Sequence, residues 1–181
     1  HYNGELVNSY FDVINENGHW VIKDYDCPAW VLIELLQFGD FLNFYQFYFE
    51  RYGILLKEIS VYNLVKSLRN ACAHNNCILR NLHKSENTHP PAIVSKYISG
   101  ITSIGKQLRK NRLSSTFTLE FSSLLCVYSQ IVSDDIRKHT YSDLQKFASD
   151  RLIKNISYYD DNYMVKSTIE FIKKTIDNLS H

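Results

Sequence analysis

Apolar positions along the chain recur at intervals of three and four, the spacing of one helix face, and almost no segment alternates strictly enough for a half-buried strand. The spacing predicts a short helix over 2–14, stopped by Asn15-Glu16-Asn17-Gly18, with 19–26 left unassigned. Pro28 suits the first position of a strong helix over 28–38. Gly39 interrupts it, and Asp40 can cap a further helix that runs to Tyr52-Gly53. A helix over 60–75 follows. Residues 76–91, rich in Asn, His, Ser and Thr and ending in Pro90-Pro91, read as the one obvious loop. Helical periodicity then returns over 92–108, 115–133, 134–157 and 162–179. The expected fold is all-α, a single helical domain over 1–181. Its parts are N-terminal helices over 1–75, the loop, and additional C-terminal helices over 92–181.

Composition narrows the picture without changing it. The 181 residues suit one well-buried domain, and 45% hydrophobic residues exclude a disordered chain. Lys and Arg (20) balance Asp and Glu (19), so any affinity for nucleic acid has to come from a local basic patch. Cys27, Cys72, Cys77 and Cys126 lack the spacing of a disulfide framework, which fits a reducing, cytoplasmic setting. No run approaches the length of a membrane span, and the N-terminus lacks a signal-peptide pattern, so no membrane partner is expected. The chain begins at His1 rather than methionine, and residues upstream are expected.

Candidate chemistry concentrates in Ser67-Leu68-Arg69-Asn70-Ala71-Cys72-Ala73-His74-Asn75-Asn76. The pattern Arg-Asn-x-x-x-His arises by chance about 0.02 times in a chain of this composition. On an ideal helix Asn70 and His74 share a face, while Arg69 diverges from His74 by about 140° and must swing toward it. Cleavage of RNA by its own 2′-hydroxyl needs a base, an acid and cationic stabilisation of the phosphorane. Histidine serves either proton transfer, an arginine fork binds phosphate oxygens, and Asn70 can position a phosphate oxygen or the imidazole. One copy supplies one proton-transfer group, so a working site needs two. A two-fold homodimer would bring both His74 side chains to one cleft. The plainer reading is a surface ion pair for Arg69, local bonding for Asn70 and a helix cap for His74. A zinc site from Cys72, His74, Cys77 and His83 lacks a Cys-x2-Cys or paired-histidine element, and no metal or cofactor is expected.

Upstream, Trp30-Val31-Leu32-Ile33-Glu34-Leu35-Leu36-Gln37-Phe38-Gly39 surrounds one carboxylate with apolar residues. Glu34 is expected either to support Arg69 from a buried helix or to sit at that helix's solvent edge. Together with Leu68-Arg69-Asn70-Ala71-Cys72-Ala73-His74-Asn75, this stretch resembles the Abi-like abortive-infection family of bacteria, of the AbiD and AbiF type, whose members carry a HEPN domain. The resemblance covers about residues 28–81. Asn75-Asn76-Cys77-Ile78-Leu79-Arg80-Asn81 lacks the tryptophan of the family's corresponding segment. The resemblance implies a HEPN-type helical bundle, a role in anti-phage defence through RNA cleavage, catalytic roles for Arg69, Asn70 and His74, and a small structured RNA as a further partner.

Two other surfaces stand out. Phe38, Phe41, Phe44, Tyr45, Phe47, Tyr48, Phe49 and Tyr52 crowd one helix on more than one face, as core or as a subunit interface. Lys106, Arg109, Lys110 and Arg112 form the densest basic cluster and, with Arg80, are the candidate RNA contacts, against the alternative of a solvated helix end. The expected function is a metal-independent endoribonuclease acting on RNA, with no DNA partner. The competing reading is a noncatalytic RNA-binding HEPN module that works with a small structured RNA or a protein.

Overall fold

Asn17-Gly18 is where the fold, given by a computed structural model, first departs from helical periodicity. Both residues are left-handed, with φ of 54° and 87°, and form the two-residue turn that matches the twist of paired strands. The Gly18 amide donates to Asn15 Oδ1 at 3.0 Å. Helix α1 (Gly4–Tyr10) therefore gives way to β1 (Phe11–Glu16), which pairs antiparallel with β2 (His19–Tyr25). Val13, Ile14, Val21 and Ile22 are β-branched and flank the turn, which favours strands over the predicted continuation of the helix to residue 14. The fold is mostly helical, in line with the all-α expectation, with one two-stranded hairpin added among the described residues. The structure describes residues 4–56, 58–80, 82–84 and 88–180.

The chain divides into two compact units, residues 1–56 and 57–181. In the first, Pro28 precedes α2 (Ala29–Leu35). The helix predicted over 28–38 ends early because Leu36 and Gln37 are extended, with ψ of 136° and 151°. Gln37 then caps α3 (Phe38–Arg51), so Gly39 lies inside the helix and Asp40 in its first turn, where a carboxylate meets the positive end of the helix dipole. Gly53, with φ of 65°, ends this segment as predicted.

The second unit holds α4 (Ile59–Ala73), a 3-10 turn at Ile78–Arg80, α5 (Ala92–Ser99), α6 (Lys106–Leu113), α7 (Thr116–Ile131), α8 (Asp134–Phe147) and α9 (Tyr163–Asp177). The predicted helix over 92–108 is two helices. Ile98, Ile101 and Ile104 keep helical spacing and are all buried, yet the backbone turns between Gly100 and Gly105 while those isoleucines stay in the core. Val61 and Leu64 of α4 join Val94, Ile98, Leu113, Leu119 and Phe171 in one apolar cluster. Leu68, one turn on, joins Phe117, Ile172 and Ile176 in a second. α4 and α7 pack together through these clusters. The hydroxyls of Ser122, Ser123 and Thr175, buried between helices, donate to the carbonyls four residues back at 2.7–2.8 Å, so none enters the core unsatisfied.

Two buried or half-buried charges strain this unit. Arg112 is only 4% exposed and donates to Thr168 Oγ1 at 2.8 Å and to the Met164 carbonyl at 3.4 Å. Burial lowers its pKa, and no carboxylate among the described residues compensates it. Glu120, half-buried on α7, has its pKa raised by desolvation.

Thr168→Val should lower stability by about 1.5–3 kcal/mol, because it removes the best acceptor of a buried cation, and Arg112→Met should cost less than Thr168→Val. Denaturant unfolding of the two variants checks the order. Glu120 is easier to protonate in the folded state, so its contribution is most favourable below its ordinary pKa of 4.5 and is lost as pH rises through the higher folded value. Glu120→Gln should therefore melt above the parent chain at pH 7, with the gap closing as pH falls through the raised folded value toward 4.5.

Candidate active site at the end of α4

Leu68, 6% exposed, anchors the last turns of α4 in the core. With 100° of rotation per residue, Asn70 and His74 then fall on the side of the helix opposite Val61 and Leu68. Arg69 and His74 are exposed and Asn70 is half-buried. The guanidinium of Arg69 donates to Asn70 Oδ1 at 3.1 Å, which carries the arginine toward the face that Asn70 shares with His74. Arg69 forms no ion pair with a described residue.

The helix ends at His74 for a backbone reason. The His74 amide donates to the Asn70 carbonyl at 3.0 Å, the last regular helical bond. Asn75 is left-handed with φ of 52°, its amide donates to the Cys72 carbonyl at 3.1 Å, and the Asn76 amide donates to the Ala71 carbonyl at 2.9 Å. These two reversed bonds are a Schellman closure, which satisfies carbonyls that the helix end leaves open. His74 is the C-cap through its main chain alone. Its imidazole hydrogen-bonds no described residue and remains at the surface. Asn75 was missed as a determinant of the site. Its signal was asparagine, the residue after glycine best suited to a left-handed position, directly after the motif histidine.

Residues 3–80 match the family described as Abi-like protein. This part of the chain is Abi-like. The match takes in α1–α4, the hairpin and the whole Arg69-Asn70-x-x-x-His74 segment. No curated protein and no solved structure matches the chain.

The remaining predicted residues are placed as follows. Glu34 is exposed on α2, where Val31 alone is buried, so the expectation of a helix buried all round is not met and the carboxylate meets solvent. Arg80 closes the 3-10 turn after α4, and its side chain lies outside the described residues. Lys106 and Lys110 are exposed and Arg109 half-buried on α6, whereas Arg112 is turned into the core against α9 and drops out of the RNA-contact set. In the basic stretch Arg137-Lys138-His139, Asp134 neutralises Arg137 and His139 Nε2 lies 3.7 Å from Asp143. Leu42 of α3 is buried, while Phe47 and Tyr52 are 62% and 64% exposed, so the aromatic helix is only in part a core helix. Among the described residues no three His, Cys, Asp or Glu side chains are grouped to hold a metal ion, and Cys72 and Cys77 are exposed and unpaired.

Asn75→Gly should keep or slightly raise thermal stability, whereas Asn75→Val should lower it by about 1–2 kcal/mol, the cost of forcing a side chain into the left-handed region. Melting curves of the two variants test this. Equal effects would mean that the left-handed turn does not define the helix end.

Proposed function

We propose that the chain is a metal-independent endoribonuclease of a bacterial abortive-infection system, built on a HEPN-type bundle and active as a homodimer. The Abi-like match points to an abortive-infection, or defence, role. The observation that carries the finer reading is the exposed Arg69–Asn70 pair beside an unengaged His74, within the matched residues.

In this reaction the 2′-oxygen of RNA attacks the adjacent phosphorus. Its proton passes to the imidazole of one His74. The P–O5′ bond breaks, and the other subunit's copy of that histidine, in its protonated form, gives a proton to the leaving 5′-oxygen. The products are a 2′,3′-cyclic phosphate and a free 5′-hydroxyl. Arg69 supplies positive charge where the phosphorane gains negative charge. The same guanidinium occupies Asn70 Oδ1, so the N–H2 is the end of the Asn70 amide left to serve a ligand. That division of the amide favours Asn70 as a donor to a phosphate oxygen. The exposed aromatic side chains on and just after α3, Phe47 and Tyr52 among them, are apolar surface of the kind a second subunit covers.

Purified chain should cleave RNA in EDTA, and His74→Ala and Arg69→Ala should each lose at least about 100-fold of that activity with the dimer preserved. Cleavage products of the parent should end in cyclic phosphate. Equal cleavage by all three proteins would remove the enzyme reading. RNA binding without cleavage by the parent chain would favour the noncatalytic module that acts with a small structured RNA or a protein.

A further inference from the structure

A second basic surface lies in the unit 57–181, outside the residues that match the Abi-like family. Lys106, Arg109, Lys110 and Leu113 fall at i, i+3, i+4 and i+7 and so share one face of α6. That face forms one wall of an open cleft of about 510 Å3. The other wall comes from Lys84, Thr88, His89 and Pro90 and from Ser95 of α5. Four permanent cations from segments more than twenty residues apart thus converge on one space, and no lining residue among those described is acidic. Elsewhere in the same unit Arg137, Lys146, Lys166, Lys173 and Lys174 each sit against a carboxylate, while Lys66, Lys96, Lys138, Arg151 and Lys154 form no ion pair with a described residue but do not line this cleft. Lys84, Lys106, Arg109 and Lys110 form no ion pair with a described residue.

We infer that this cleft binds the phosphate groups of a nucleotide, in an RNA strand or free. Like charges gathered around one space repel one another, and an anion bound there between Lys84 and the three cations of α6 relieves that repulsion. The volume falls in the range of small-ligand sites, and the space takes a nucleotide unit with its phosphates. Pro90 and the buried Leu113 add an apolar surface for a base or sugar, which an acidic peptide would leave unused. Lys84 and His89 escape detection in the sequence because they lie singly in a loop, and only the fold sets them opposite α6.

The inference does not rest on the nuclease reading, and the test separates the two. Binding of a fluorescent single-stranded RNA decamer is measured over a salt series with the full-length His74→Ala chain, in which the proposed proton-transfer group is absent. Adding Arg109→Gln and Lys110→Gln should weaken binding about tenfold and reduce the steepness of log affinity against log salt by about 1.4, at about 0.7 per lost phosphate contact on a single strand. Lys84→Gln, on the opposite wall, should weaken binding in the same direction. Competition by ATP at micromolar concentration identifies a free nucleotide as the source of the phosphates, and competition by RNA alone identifies the strand. Unchanged affinity and salt dependence in these variants, with melting temperatures preserved, would overturn the inference. So would equal competition by polyglutamate.

Discussion

The seating of α4 against α7 is the contact on which the candidate site depends. Val61, Leu64 and Leu68 hold one side of the helix in the core and thereby set the rotation that turns Asn70 and His74 away from it. Burying three aliphatic side chains contributes on the order of 5–8 kcal/mol before chain entropy is counted, far more than any exposed polar contact in the site. The Arg69–Asn70 hydrogen bond and the free imidazole are consequences of that rotation. The left-handed Asn75 completes the arrangement by ending the helix at the histidine, so that His74 sits on an edge rather than along a helix flank.

Much of this was legible in the sequence because it is written in local chemistry. Proline before α2, glycine after α3 and the apolar face of α4 each act through the backbone within a few residues, and the helices they predict are present. The misses share a different cause. Phe11–Glu16 carried too little alternation to stand out, and Asn17-Gly18 reads equally as a helix stop and as a hairpin turn. Ile98, Ile101 and Ile104 keep helical spacing across a break, because burial constrains side chains and leaves the backbone free to turn at glycine. Arg112 looked like one more surface cation, and only the tertiary position of Thr168 on α9 shows that it points inward. The Arg69-Asn70-x-x-x-His74 site was found from its residue types, but its helix stop was not.

A net charge of +1 conceals a marked separation of roles among the cations. Five are bound to carboxylates and fix helix surfaces, one is buried among neutral acceptors and ties α6 to α9, and four converge on the α5–α6 cleft with no ion pair to a described residue. Arg69 belongs with the unpaired group in chemistry though not in place. Cations that no described carboxylate neutralises are available to a ligand, and five of them stand at two surfaces suited to phosphate, the α5–α6 cleft and the end of α4.

The central claim is that Arg69, Asn70 and His74 are half of a nuclease site and need a second copy. The most direct measurement is cleavage rate per chain across a dilution series that spans the dimer dissociation determined by sedimentation on the same samples. The account predicts that activity per chain falls in step with the dimer fraction and vanishes for the monomer. Constant activity per chain from dimer to monomer would contradict it.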